Sequence, residues 1–194
     1  MAKVIAPLMS FGASGQLAGT LVYFPWKGIE CVRQYVHPAN PKTTDQQAQR
    51  AKLHASVDEW HSLGLSAADV TAWNRQAAVE PTPMSGFNAF VKAEIAIRRV
   101  PLTPNMGKTG GLVTDGAGKF KGAITEGGAS DAVDMLWGSS PTALLNTVAC
   151  SEAVNVWTSS SVTVPAGTIV YARFNIKKAA AVEGRTGVFM FKVV

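Results

Sequence analysis

Residues 168–177 alternate without a break. Val170, Ala172, Phe174 and Ile176 form one set, and Tyr171, Arg173, Asn175 and Lys177 lie between them. A period of two places the first set on one face of a strand and the second on the other. A half-buried antiparallel strand does this, so the carboxyl half needs a sheet with one wet face. Further short strand candidates surround it: Ala132–Trp137, Ala143–Cys150, Ala153–Trp157, Ser161–Val164 and Thr186–Val194. Pro165-Ala-Gly167 and Glu183-Gly184 read as turns between them. Strands this closely spaced imply a small all-β sandwich or barrel over residues 131–194.

The amino half has a different texture. Thr20 to Phe24 is β-branched and aromatic, Pro25-Trp-Lys-Gly28 reads as a turn, and Ile29 to Val36 resumes the first pattern, which predicts a hairpin. On its second strand Cys31, Arg33 and Tyr35 share one face and Val32, Gln34 and Val36 the other. His37-Pro-Ala-Asn-Pro41 stops the sheet, because proline removes a donor and restricts the residue before it. Three helices are then predicted. The first is capped at Thr43 or Thr44 with Gln46 or Gln47 three residues on. It carries Ala48, Ala51 and Ala55 beside Leu53, Val57, Trp60 and Leu63, and Gly64 closes it. The second starts at Ser66 with Asp69 three residues later and carries Val70, Trp73 and Ala77. The third runs from Ser85 through Phe87, Phe90, Val91, Glu94, Ile95 and Ile97 to Arg98, Arg99 and Pro101.

Two segments stand outside these elements. Residues 1–18 are rich in Gly and Ala and almost uncharged, but Ile5, Leu8 and Phe11 favour an arm that orders against a neighbour over a loose tail. Residues 101–130 are rich in Gly, Pro and Thr and read as a linker with one weak strand from Lys119 to Ile124. The expected class is therefore α+β, with an arm (1–18), a hairpin plus three-helix module (19–100), a linker (101–130) and a β domain (131–194).

The sequence offers little catalytic chemistry. Gly107-Lys108-Thr109 echoes the end of a phosphate-binding loop, but Leu102 stands where that loop needs a glycine. Gly12-Ala-Ser-Gly15 is one residue short of a nucleophile elbow and lacks the strand before it. His54, Asp58 and His61 share a helix face at ligand spacing, yet no fourth ligand is evident and the face reads as solvated. Cys31 and His37 are too far apart on an extended chain to act as a nucleophile pair. Cys31 and Cys150 are too few and too distant for a disulfide framework and read as reduced thiols. No catalytic residue, cofactor site or metal site is assigned, and an enzyme is not expected. Met1 to Ser10 lacks the order of a signal peptide, and no apolar run is long enough to cross a membrane, so cytoplasmic synthesis is expected.

Charge separates the remaining classes. Only 16% of the residues are charged, and the net charge is +5. Residues 1–104 hold 10 basic and 7 acidic side chains and residues 105–194 hold 8 and 6, so the excess is spread thinly. Nucleic-acid modules concentrate charge on one face or helix. Lys27, Arg33, Arg98 and Arg99, with aromatics around the hairpin, keep a nucleic-acid-binding accessory protein as the alternative. A surface adhesin with a sugar-binding sandwich is a third reading.

The ordered backbone Gly15-x-Leu17-x-Gly19-Thr20, Val22–Phe24, Gly28, Val32-Arg33 and Pro38-x-Asn40-Pro41-x-Thr43-x-x-Gln46-Gln47-x-x-Arg50-Ala51 resembles small uncharacterised proteins encoded among the structural genes of tailed bacteriophages and prophages. Trp60, Ala72-Trp73-Asn74 and Ser85-Gly-Phe-Asn-Ala-Phe-Val91 fit the same pattern, so the resemblance spans roughly residues 12–97. It implies a non-enzymatic virion protein, associated with capsid, neck or tail, that assembles with other virion proteins and with copies of itself. The β domain loosely resembles an immunoglobulin- or fibronectin-type sandwich, with Trp137 on an early strand and Gly167-x-x-x-Tyr171-x-Arg173 on a late one. It is short for such a domain, which leaves room for a strand from a neighbouring chain or the amino arm. Interfaces favour aromatic anchors with a cation nearby. On that basis Ile5, Leu8 and Phe11 of the arm and Phe24, Trp26 and Lys27 of the hairpin tip are the expected contact residues.

Overall fold

The structure, a computed structural model, describes residues 2–3, 13–37, 39–99, 104–125, 130–154, 156–179 and 181–194. It divides into two compact units, Met1–Thr43 and Thr44–Val194.

The first unit is a four-stranded antiparallel sheet of β1 (Ala2–Lys3), β2 (Gly15–Leu17), β3 (Leu21–Trp26) and β4 (Ile29–Gln34), in the order β1-β4-β3-β2. The predicted hairpin is its centre. Trp26 pairs with Ile29, so Lys27-Gly28 is a two-residue turn, with φ of 51° and 77°. Positive φ at both positions matches the right-handed twist of the strands, and glycine supplies the second at no steric cost. The ends of the expected arm add a strand on each side: Ala2 pairs with Val32, and Leu17 with Leu21. The strand offered by the amino segment therefore goes to this sheet. Ile5, Leu8 and Phe11 lie outside the described residues.

The second unit opens with α1 (Thr44–Ser62), α2 (Ala67–Ala78) and α3 (Gly86–Arg99). The capping box is present at Ser66: its Oγ accepts from Asp69 N at 3.2 Å, and Asp69 Oδ2 accepts from Ser66 N at 3.0 Å. Gly64 ends the turn after α1 at φ 61°. Trp60, Phe90 and Trp73 pack edge to face, at centroid separations of 5.1 and 5.2 Å, and tie the three helices together. Full burial of one such ring contributes about 3 kcal/mol. Of the small-residue strip expected on α1, Ala48 and Ala51 are exposed and Ala55 is half-buried. With 19 residues against 14, α1 outruns the helix it packs on.

The rest is one connected nine-stranded antiparallel sheet that curls into a half-barrel. It comprises β5 (Lys108–Thr114), β6 (Lys119–Thr125), β7 (Ala132–Gly138), β8 (Asn146–Ala153), β9 (Val156–Ser159), β10 (Val162–Thr163), β11 (Ile169–Lys178), β12 (Ala181–Arg185) and β13 (Phe189–Lys192). The mixed α+β class stands, but one curling sheet replaces the two facing sheets of the expected sandwich. Two of its strands come from the segment read as a linker: β6 is the one weak strand expected there, and β5 was not expected. Gly122 there reflects packing: a Cβ on it would lie 2.5 Å from the Phe174 ring. The predicted alternation of β11 holds, with Val170, Ala172, Phe174 and Ile176 buried among Phe120, Ile124, Val133 and Met135.

Glu183-Gly184, read as a turn, lies inside β12 instead. A Cβ on Gly184 would fall 1.6 Å from Asn105 O, and Asn105 N donates to Glu183 O at 3.0 Å. Gly187 similarly lets α2 reach the sheet. Val188 N donates to Ala72 O at 3.1 Å, and Arg75 Nη1 donates to Val188 O at 2.9 Å.

Candidate contact surface

In the four-stranded sheet the register of β3 and β4 sorts the side chains. Val22, Phe24, Trp26, Ile29, Cys31 and Arg33 share one face, and Leu21, Tyr23 and Val32 share the other with Leu17 of β2. Cys31 is the only buried residue among those of the first unit whose burial is described. Trp26 is 56% exposed, and Leu17, Leu21 and Ile29 are also exposed. The Arg33 guanidinium lies 5.3 Å from the Phe24 ring centroid, a cation held over an aromatic face. Tyr35 and His37 pack edge to face at 4.8 Å. Phe24, Trp26 and Lys27 are thus gathered at one end of one face, with Lys27 at the turn. An apolar residue on each face of so thin a sheet is what a partner would cover. The sequence pointed to the tip through its aromatics; Leu17 was missed because it was read as part of the arm, and Leu21, on the expected first strand, was not singled out.

The other candidate residues do not converge. His54 Nδ1 lies 2.7 Å from Asp58 Oδ2, and both side chains are mostly exposed, as is His61. Among the described residues no three His, Cys, Asp or Glu side chains are grouped to hold a metal ion. Gly107 is buried against Ile124 and leads into β5, not into a helix. Of the four cations named for nucleic acid, Lys27 and Arg33 belong to the first unit and Arg98 and Arg99 to the second. Arg98 is tied to the buried Glu94. Among the described residues no helix is long and apolar enough to cross a membrane.

Glu94, Glu80 and Cys150 are among the groups of the second unit with shifted affinities for protons. Burial raises the Glu94 carboxyl above its ordinary 4.5, against the opposing pull of Arg98, whose Nε donates to Glu94 Oε1 at 2.8 Å. Glu94 Oε2 has no hydrogen-bond partner. Glu80 is lowered, chiefly by Lys92, whose Nζ lies 2.6 Å from Oε2. Burial pushes the Cys150 thiol up to about 12, which keeps it protonated and a poor nucleophile. Cys31 is a free, buried thiol. None of these groups forms a nucleophile–base pair with another in the contacts described, so the surface of the sheet is the feature on which a function can be built. No family model, curated protein or solved structure matches the chain.

Proposed function

We propose that this chain is a non-enzymatic structural protein of a tailed-phage virion that works through protein–protein contacts, with copies of itself and with other virion proteins. The observation that carries the contact half of this reading is the first unit: a four-stranded sheet with one buried residue among those described and apolar side chains exposed on both faces. Three or more strands become stable when a hydrophobic face is covered, and a unit of this size supplies little core of its own. Association supplies the cover. The virion half rests on the resemblance carried by residues 12–97. Phe24, Trp26 and Lys27 are the contact residues of choice, because an aromatic anchor beside a cation is what interfaces bury at their centre.

Molar mass in solution tests it. The intact chain is expected to form a defined oligomer, and Trp26→Asp, which changes an exposed position, is expected to return it to one chain per particle. An oligomer that Trp26→Asp leaves unchanged would remove the tip from the interface. The nucleic-acid alternative predicts binding that falls steeply with salt; a gel-shift assay without such binding removes it.

A further inference from the structure

A cavity of about 400 Å³ lies in the second unit between the end of α2, the loop joining β7 to β8, and β11. Gln76 and Val79 form one wall, Thr142, Leu144 and Leu145 of the 139–145 loop another, and Arg173 completes it. Ligand pockets are typically about 300–1,000 Å³, so the volume suits a small molecule or one side chain of a partner. No residue lining it carries a negative charge.

Arg173 is the anomaly. It sits on the polar face of β11 with Lys177, and Arg185 follows on β12 opposite Asn175. Lys177 is ion-paired to Asp134. Arg185 has the charge of Glu80 within reach. Among the described residues the Arg173 side chain has no hydrogen bond and no ion pair, and its Nε is sealed from solvent without a partner. Burial, with Arg185 adding its repulsion, lowers the hold of Arg173 on its proton. Arg173 is half-buried, and a guanidinium with one N–H removed from water and no counter-charge beside it carries a cost. Val79, Leu144 and Leu145 form an apolar part of the wall beside the polar Gln76 and Thr142, and Leu145 is 86% exposed.

We propose that this cavity is an anion-binding site that takes a carboxylate borne on a short aliphatic chain, the carboxylate meeting the Arg173 guanidinium and the aliphatic part packing on Val79, Leu144 and Leu145. A guanidinium offers a carboxylate two parallel N–H donors in a fixed plane, which a neutral amide cannot match. Such a group reaches the site either as a free acid or as an acidic side chain of a peptide. The proposal does not depend on the virion reading.

The test is titration of the isotope-labelled full chain with pentanoate, with pentanamide as the uncharged isostere, and with N-acetyl-leucyl-glutamate amide, at constant ionic strength, followed by amide shifts. Pentanoate or the capped dipeptide is expected to move the Val79 and Leu144 signals saturably, and pentanamide is not. The tighter of the two identifies the source. Arg173→Gln is expected to weaken binding by roughly tenfold or more, and it removes an unpaired, half-buried charge, so the fold should survive it. Val79→Trp, which fills the cavity and leaves the charge, should abolish the shifts. Absence of saturable shifts with either carboxylate, equal binding of pentanamide, or undiminished binding by Arg173→Gln or Val79→Trp would each overturn the proposal.

Discussion

Glu94 is a carboxylate with no solvent exposure, and one of its two oxygens has no hydrogen-bond partner. Burial favours its neutral form, and the guanidinium of Arg98 opposes that preference without cancelling it. The consequence for stability has a definite sign. In the unfolded chain the carboxyl ionises near 4.5, whereas in the folded chain it holds its proton to higher pH. Its contribution is therefore present below the unfolded value and declines as pH rises through the folded one. Glu94→Gln should gain in stability relative to the parent chain as pH is raised from acid to neutral, read as the difference in melting temperature. A difference that stays constant across that range would contradict this. Arg98→Ala should cost about 3 kcal/mol at neutral pH, the usual result of stranding a buried charge, and less in acid where Glu94 takes up its proton. Residue-scale facts of this kind were the least legible in the sequence. The spacing of Glu94 and Arg98 marks a helical pair, but only the packing of α3 shows that one member is buried. Arg173 was legible as a polar-face residue of an alternating strand, and nothing local to it reveals that the end of α2 lies over it.

At the scale of elements the legible features were those whose cause is local. The capping box at Ser66, the glycine stop after α1 and the period of β11 each depend on residues a few positions apart, and each was read correctly. The elements missed were those whose cause is distant. Gly184 looks like a turn residue until Asn105, from another part of the chain, is found against its backbone. Beyond the weak strand expected at Lys119–Ile124, the glycines of residues 101–130 look like linker composition, and β5 (Lys108–Thr114) was missed with them. Gly187 shows the energetic side of the same fact. A Cβ there would lie 2.4 Å from Ala72 C and 2.5 Å from Trp73 N, both backbone atoms of α2. Gly187→Ala should therefore push α2 off the strand and cost about 3 kcal/mol, measurable by denaturant unfolding. A cost near zero would mean that α2 does not depend on this contact.

At the scale of the whole chain, the two units differ in what they bury. The second has a helical core around Trp73 and Phe90 and a sheet core around Phe120 and Phe174. The first has strands, a well-formed turn and an exposed tryptophan, and Cys31 is the one buried residue among those whose burial is described. On the proposed function, low overall charge and a sheet with one buried residue among those described belong together, because neighbours complete the surface. Amide hydrogen exchange in β3 and β4, followed as a function of protein concentration, tests this most directly. Protection of these amides should rise with concentration in the parent chain and should not in Trp26→Asp, while the amides of β11 stay protected throughout. Protection of β3 and β4 that is strong and independent of concentration in both would contradict the account, because the sheet would then stand without a partner.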